Sequence, residues 1–423
     1  MSKIKISLLK INLLLIAFYI MFTYSIASTP ILLLIFSITF ILLLINFSHK
    51  KIVLTINHMF WIYVLCFILF STMYSHNKSY ALSYILMMGI FIFIKINLSN
   101  FSGWENYYIK FMYVFSGIHV ICTLLLQINP NIVNEIRYQI LTQQQLIVTN
   151  GLIGIGGNSG IAHQTGSNAF FITIFLAITS SKLIIGILKF NKINKYYFLL
   201  FILGQIAMML TSKRAHLGIN LIVFFILICV IVFKNKSIVI NVLKMLTFII
   251  VSICIGIIIF PEVLSIFEKI VLMIQSGDFS NGRIDIYKNI FEQFLRQPLL
   301  GNGFGDTFLV EEVGAHNIYI QLLNDIGIIG LLMFLVIFLK ELIDMFKLLL
   351  NVREHGMEYV YIIQCVYVQI FFLLYGFTGN PLFDYYMLLA YIMATTIPRC
   401  YIKNNKTGEL KNENRNYDIS QSN

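Results

Sequence analysis

Three places in this 423-residue sequence set side chains where they could do chemistry on an anion or a proton. Arg283 falls in the first turn of a stretch with helical spacing, where the helix dipole favours an anion and a purely structural preference would place Asp or Glu. A guanidinium there, beside free backbone N–H groups, is suited to holding a phosphate. A solvated arginine paired with Asp278 or Asp285 is the plainer alternative, since exposed pairs contribute little. Lys213 and Arg214, with His216 close behind, form the second place, at the junction of two long apolar stretches. Both side chains suit a phosphate, and both could equally snorkel toward lipid headgroups. His316 and Asn317 head a third apolar stretch, and Asn317, Gln321 and Asn324 follow at i, i+4 and i+7 along one helix face. Lipid would penalise that stripe, so it is expected to face the interior of a helix bundle or a water-filled cavity. Interhelical hydrogen bonds would account for the amides. An imidazole at their head adds a group suited to proton transfer near neutral pH.

A fourth stretch, Asn158-Ser159-Gly160-Ile161-Ala162-His163-Gln164-Thr165-Gly166-Ser167-Asn168, is polar and glycine-rich and leads directly into an apolar run. It reads either as a binder of sugar hydroxyls, through His163 among others, or as an ordinary loop. His49, His58, His76, His119 and His355 are scattered singly and read as structural. Gly301-Asn302-Gly303-Phe304-Gly305 reads as a flexible turn, and not as a nucleotide-binding loop, because no strand precedes it and no clear helix start follows. The six cysteines lie in or beside apolar runs without the paired spacing of disulfides or a metal site. The outer loops contain no Asp-x-Asp pair.

The elements that must hold these residues follow from composition. The chain is 58% hydrophobic and 12% charged, with a mean hydropathy of +0.83, whereas a soluble domain carries about 25% charged residues. Continuously apolar runs such as 31–47, 217–233 and 245–260 are near the length that crosses a bilayer. They do not alternate as barrel strands do, so the fold class is an all-α integral membrane bundle. Spans are expected near 11–27, 31–47, 53–73, 80–97, 108–127, 167–187, 196–211, 215–233, 245–261, 317–339, 359–377 and 384–397, about twelve in all. With the N-terminus inside, 22 of the 30 Lys and Arg residues fall on inner segments. Cytoplasmic loops carry that excess, so both termini are expected in the cytoplasm. The net charge of +11 is then inner-leaflet lysine and needs no nucleic acid. Lys3, Lys5 and Lys10 precede an apolar run as in a signal peptide, but a second run after Pro30 favours an uncleaved first helix.

Most loops are short; two outer ones, about 128–166 and 262–315, are long enough to suggest that work is done outside. The second contains a helix signal: Ile284, Tyr287, Ile290, Phe291, Phe294 and Leu295 recur at helical spacing, Ser280 or Asn281 can cap the start, and Pro298 ends it. Such an amphipathic helix would lie at the outer interface or pack over the bundle mouth. The domain organisation is thus a polytopic membrane domain over 1–406 and a polar tail over 407–423 read as disordered.

Taken in order, Gly282-Arg283, Tyr287, Pro298, Gly301-x-Gly303-x-Gly305, His316-Asn317 with Tyr319, then Gly327 and Gly330 resemble the large-loop signature of the O-antigen ligase and polymerase family of bacterial membrane glycosyltransferases. Thr211-Ser212-Lys213-Arg214 is similar to that family's Ser–Arg element, and Gly379-Asn380-Pro381 to its last outer turn. Tyr287 stands where Trp is more usual, Lys213 is inserted before Arg214, and Ala215-His216 replaces a Gly.

The resemblance implies a GT-C-like bundle with a large outer loop, acting without metal or cofactor at the outer face of the bacterial inner membrane. It implies a donor glycan on undecaprenyl diphosphate, whose bond already stores the energy. By the same resemblance Arg283, Arg214 and His316 are the catalytic candidates. Lys213, Asn317, His163, Gln321 and Tyr287 are the binding ones. A polymerase of lipid-linked repeat units is the favoured reading, because the departures lie in ligase-like details. A ligase using the same donor is the first alternative. A flippase for the same lipid is the second, and it would predict charges inside several spans and short outer loops. Partners would be the lipid-linked glycans, the bilayer, and a chain-length regulator and flippase of the same pathway, with no nucleic acid.

Overall fold

The computed structural model describes residues 2–23, 37–39, 41, 53–101, 103–154, 157–190, 192–259, 271–272, 274–275, 283–312, 314–352 and 356–398. Among them there is no strand, as continuous apolar runs require. The helices are α1 (Ser2–Phe22), α2 (Ile56–Ser71), α3 (Lys78–Leu98), α4 (Glu105–Ile128), α5 (Pro130–Ile140), α6 (Gln143–Gly154), α7 (Thr165–Phe190), α8 (Lys195–Leu210), α9 (Arg214–Lys234), α10 (Val239–Ile259), α11 (Arg283–Phe294), α12 (Thr307–Val310), α13 (Ile318–Asn351), α14 (Met357–Tyr375) and α15 (Tyr385–Pro398). Six of them (α3, α4, α7, α9, α13 and α14) are long and apolar enough to cross a membrane, and four shorter apolar helices accompany them. Most expected spans overlap one of these helices with ends a few residues apart; 11–27, 245–261 and 317–339 differ more, since α1 begins at Ser2, α10 at Val239 and α13 runs on to Asn351, and 31–47 lies almost wholly outside the described residues. So do residues 278–282 and the tail.

Helix α7 is the axis of the bundle: nearly its whole length is buried, and α4, α8, α9 and α14 pack around it. A second group, α2, α3 and α13, is fastened near the end remote from His316 by a buried ion pair, Lys95 Nζ to Glu341 Oε1 at 3.1 Å. Lys95 also donates to Thr395 Oγ1 of α15, and Trp61 Nε1 of α2 donates to Glu341 at 3.3 Å. Away from water such charges persist only when paired, so this contact ties four helices together.

At its other end α13 is broken. Gly327 has φ 66° and ψ −173°, which ends the helical hydrogen bonding for one turn. The carbonyls of Asn324 and Asp325 would ordinarily bond Ile328 and Ile329. Instead they accept from Asn302 N at 2.8 Å and Gly303 N at 3.0 Å. The released Ile328 and Ile329 N–H groups donate to the carbonyls of Pro298 (3.0 Å) and Leu299 (3.3 Å). The segment 298–303 therefore repairs the break group for group, as buried backbone demands.

Two carboxylates lock the rest of that segment. Asp325, fully buried, accepts from Gly305 N and Thr307 N, both at 3.0 Å, and from Thr307 Oγ1 at 2.5 Å. Asp306 accepts from Ser75 Oγ at 2.8 Å, His76 N at 2.9 Å and Asn77 N at 3.1 Å, holding the turn that leads into α3 from a distant part of the chain. His76 Nδ1 lies 2.8 Å from the second Asp306 oxygen. The expectation of a flexible turn at 301–305 is thus wrong. The glycines are there because backbone and side chains approach too closely for a Cβ: at Gly303 it would meet Ser75 Cα at 2.4 Å, and at Gly327 Leu299 O at 2.3 Å.

The first long loop also differs from expectation, since 130–154 folds into α5 and α6. Pro130 opens α5, its fixed φ suiting a first helical turn. Arg137 makes the helix intelligible: almost fully buried, it donates from Nε to Gly160 O at 2.6 Å and from Nη2 to Ser159 Oγ at 3.1 Å. Burial lowers its pKa to about 10, so it stays charged and clamps the approach to α7.

Substituting Gly303→Ala or Gly327→Ala is expected to destabilise the protein by about 2 kcal/mol or more, since the backbone contacts cannot yield. Gly218→Ala, where a Cβ meets nothing within 4 Å, is expected to be silent. Thermal midpoints in detergent, followed by size-exclusion, distinguish the three; equal midpoints would contradict the repaired-break account.

Candidate functional site

Above the end of α7 lies a cavity of about 570 Å³, in the size range that holds a small ligand. Gln164, Thr165, Gly166 and Ser167 at the start of α7 form one wall. Lys213 comes from the turn before α9, Glu312 and His316 from the segment before α13, Tyr375 from the end of α14, and Asn380, Asp384 and Tyr386 from the turn into α15. Val148 of α6 reaches the rim. Segments far apart in sequence thus converge on one space at one end of the bundle.

The sequence-derived candidates divide on inspection. Lys213 and His316 line the cavity together. Arg283, half-buried, begins α11 and donates from Nη1 to Thr378 O at 2.9 Å, which pins α11 to the Gly379-Asn380-Pro381 turn. Tyr287 is half-buried one helical turn further on, and Arg214 is half-buried as the first residue of α9. His163 is half-buried next to Gln164, its carbonyl accepting from Thr149 Oγ1 at 3.3 Å. Asn317 spends its side-chain oxygen as the cap of α13, accepting from Tyr319 N at 3.0 Å and Ile320 N at 3.2 Å. Gln321 is fully buried, with Oε1 accepting from Ala315 N at 3.3 Å. Asn324 bonds Thr307 Oγ1 at 2.9 Å and receives Asn302 Nδ2 at 2.8 Å. The polar stripe therefore faces the packed outer segment and braces the loop that carries His316, rather than opening on water.

Backbone strain marks the same place. Among the described residues, the non-glycine positions with left-handed backbone are Ser212 (φ 55°) and His316 (φ 51°). One directly precedes Lys213 and the other is the candidate base, so the strain sits at two of the candidate side chains. Around His316 the chain is held by Asn317 as a cap and by Ile318 N donating to Gly376 O at 2.9 Å.

Electrostatics give the ring a definite state. Burial lowers the His316 pKa from 6.5, and the nearby charges of Arg283 and Lys213 lower it further. The imidazole is consequently neutral at neutral pH and free to accept a proton. That both cations act on it also places Arg283 within electrostatic reach of the cavity. Asp384 lies at the cap of α15, where loss of water pushes its carboxyl up to about 7. The N-terminal N–H groups of α7 add a positive end to the wall beside Lys213. Among the described residues, no three His, Cys, Asp or Glu side chains are gathered as a metal ion would need.

Sequence reasoning missed Glu312, Tyr375, Asn380 and Asp384 as parts of this site. Asp384, an acid at the mouth of an apolar span, and Asn380, in the Gly379-Asn380-Pro381 turn, carried a signal; Glu312 and Tyr375 are brought in by folding. Residues 198–335 match the family model described as O-antigen ligase. The matched stretch contains Lys213, Arg214, Arg283, Glu312, His316 and the glycine-rich segment, so the chain is similar to that family where the cations and the imidazole lie. The likeness is to that stretch of the chain, whose described residues elsewhere include further helices long and apolar enough to cross a membrane. No curated protein matches the chain.

The neutral state of His316 is checked by its reactivity toward diethyl pyrocarbonate across pH. Half-reaction is expected below pH 6.5 in the unmodified protein and at a higher pH in Lys213→Ala, because one charge opposing the imidazolium has gone. An unmoved midpoint would remove Lys213 from the neighbourhood of the ring.

Proposed function

We propose that this protein polymerises lipid-linked oligosaccharide repeat units of an O-antigen or capsular type, at the outer face of the bacterial inner membrane and with both termini in the cytoplasm. The observation that carries the reading is a neutral imidazole within reach of two cations at a cavity large enough for sugars. The donor is a glycan on undecaprenyl diphosphate and the acceptor a sugar hydroxyl of another lipid-linked unit.

In this reaction the acceptor oxygen attacks the anomeric carbon of the donor glycan and forms the new glycosidic bond. The bond from that carbon to the diphosphate oxygen breaks, and its electron pair leaves with undecaprenyl diphosphate. The acceptor proton passes to a ring nitrogen of His316, which the lowered pKa then returns to solvent. Arg283 and Lys213, with Arg214 at the start of α9, neutralise the departing diphosphate, so no metal ion is required for that charge. His163 and Tyr287 flank the sugars. Asn317 and Gln321 act indirectly by holding the His316 loop.

A ligase would use the same donor and the same leaving-group chemistry with a different acceptor. A flippase is less favoured, because the candidate charges gather at one end of the bundle and the intramembrane pair Lys95–Glu341 is closed by its own partners.

The test is purified protein with an undecaprenyl-diphosphate-linked repeat unit and no nucleotide sugar, resolved as a size ladder. A ladder is expected, and Arg283→Ala and His316→Ala should each reduce its rate by about 100-fold or more with normal folding. Full activity in both variants would end the assignment. Transfer only to a lipid A core acceptor would turn the reading to ligase.

A further inference from the structure

One phenol on the cavity wall has no hydrogen-bond partner in the fold. Tyr375, the last residue of α14, lines the cavity. Nearby tyrosines use their hydroxyls inside the protein: Tyr319 donates to Leu373 O at 2.8 Å, Tyr367 to Asn220 Oδ1 at 2.7 Å and Tyr386 to Ser167 Oγ at 3.3 Å. Among the described residues the hydroxyl of half-buried Tyr375 makes no such bond, whereas a phenol taken out of water ordinarily finds one. The surroundings nevertheless hold it in one place. Its ring centre lies 4.3 Å from that of His216 and 5.6 Å from that of Phe371. His216 is 1% exposed and among the described residues its Nε2 makes no hydrogen bond, so the imidazole serves there as a flat packing surface. Gly379 leaves the room the phenol needs, since a Cβ there would strike Tyr375 Cζ at 2.4 Å and the hydroxyl oxygen at 2.7 Å. The phenol also stands between the two cations. Arg283 acts electrostatically on Tyr375 as it does on His316, while Lys213 acts on His216, against which the Tyr375 ring lies.

Resting on the reaction proposed above, we infer that the Tyr375 hydroxyl donates a hydrogen bond to the diphosphate oxygen that leaves the anomeric carbon, and that His216 is the residue that positions its ring. As the carbon–oxygen bond breaks, that oxygen keeps the electron pair and gains negative charge, while the phenol proton stays on Tyr375. The bond therefore strengthens as the reaction proceeds, which is the condition for lowering the barrier rather than tightening substrate binding. An uncharged donor suits the position. Two cations already meet the diphosphate on the proposed reaction, and a third would hold the product after transfer and slow its release.

The experiment uses the full-length protein in nanodiscs of uncharged lipid and two probes, undecaprenyl diphosphate and the same lipid bearing a repeat unit. In Tyr375→Phe the affinity for free undecaprenyl diphosphate is expected to fall about tenfold, and that for the glycan-bearing lipid by no more than about threefold, because only the first carries full charge on that oxygen. In the size-ladder assay kcat is expected to fall about tenfold or more, with KM within about threefold. His216→Ala should reproduce both effects and His216→Phe, which restores a ring, should not. Adding Tyr375→Phe to His216→Ala should cause little further loss, as expected of two residues acting through one group. Unchanged binding and kcat in Tyr375→Phe would overturn the inference. So would a rise in KM alone, which would put the hydroxyl on the sugar. If Tyr375→Phe lowers the thermal midpoint, the two His216 variants decide, since both keep the hydroxyl; equal activity in them would overturn the positioning role. If the binding difference appears while the unmodified protein forms no ladder, the polymerase reading fails and the hydrogen bond to the diphosphate stands.

Discussion

The structure depends on one repair. A helix that crosses a membrane cannot leave backbone N–H and C=O groups without partners, and α13 is interrupted at Gly327 inside its apolar run. The groups freed there are satisfied by the backbone of 298–303, so that segment is obliged to dip against the helix. Once it does, Asp325 fixes Gly305 and Thr307, Asp306 holds the turn before α3, and the chain that emerges has little choice of path to His316. Glycine spacing, a kink and two buried carboxylates are parts of a single constraint. Its product is a loop with the rigidity of a helix, which is what a group that must transfer a proton needs.

Rigid placement explains the electrostatics. His316 sits in a left-handed backbone conformation that few residues accept, held by a capped helix on one side and a bond to the Gly376 carbonyl. Arg283 is tethered to the turn between α14 and α15, and Lys213 follows the other left-handed residue, Ser212. Burial, and after it the two cations fixed nearby, keep the imidazole neutral. On the proposed reaction the same cations meet the leaving diphosphate, so one arrangement serves both the proposed base and the proposed leaving-group site before substrate arrives.

Much of this was legible in the chain. Apolar runs gave the places of most apolar helices, because a bilayer sets both length and composition of whatever crosses it, but not the long extensions of α1 and α13. Arg283 at a helix start and His316 at a span head stood out because their types contradict local preference. What could not be read was closure. Nothing in Gly301-Asn302-Gly303-Phe304-Gly305 announces that its partner is a break about 25 residues later, so the stretch looked flexible. Gln321 and Asn324 looked like cavity residues because a polar stripe shows only that lipid is avoided, not whether water or packed backbone replaces it. Helices α5 and α6 escaped notice because the buried group that organises α5, Arg137, is of a type that usually faces solvent. Asp384 and Glu312 enter the cavity from turns whose path is set by tertiary contacts alone.

The central claim is that the cavity beside His316 takes a lipid diphosphate between fixed cations. A structure of the protein with undecaprenyl diphosphate bound tests it most directly. The account predicts phosphate oxygens within hydrogen-bond distance of Lys213 and Arg283, with the His316 ring facing the vacant sugar space and the segment 298–307 unmoved. A diphosphate bound elsewhere on the bundle, or one reached only by unthreading that segment from α13, would contradict it.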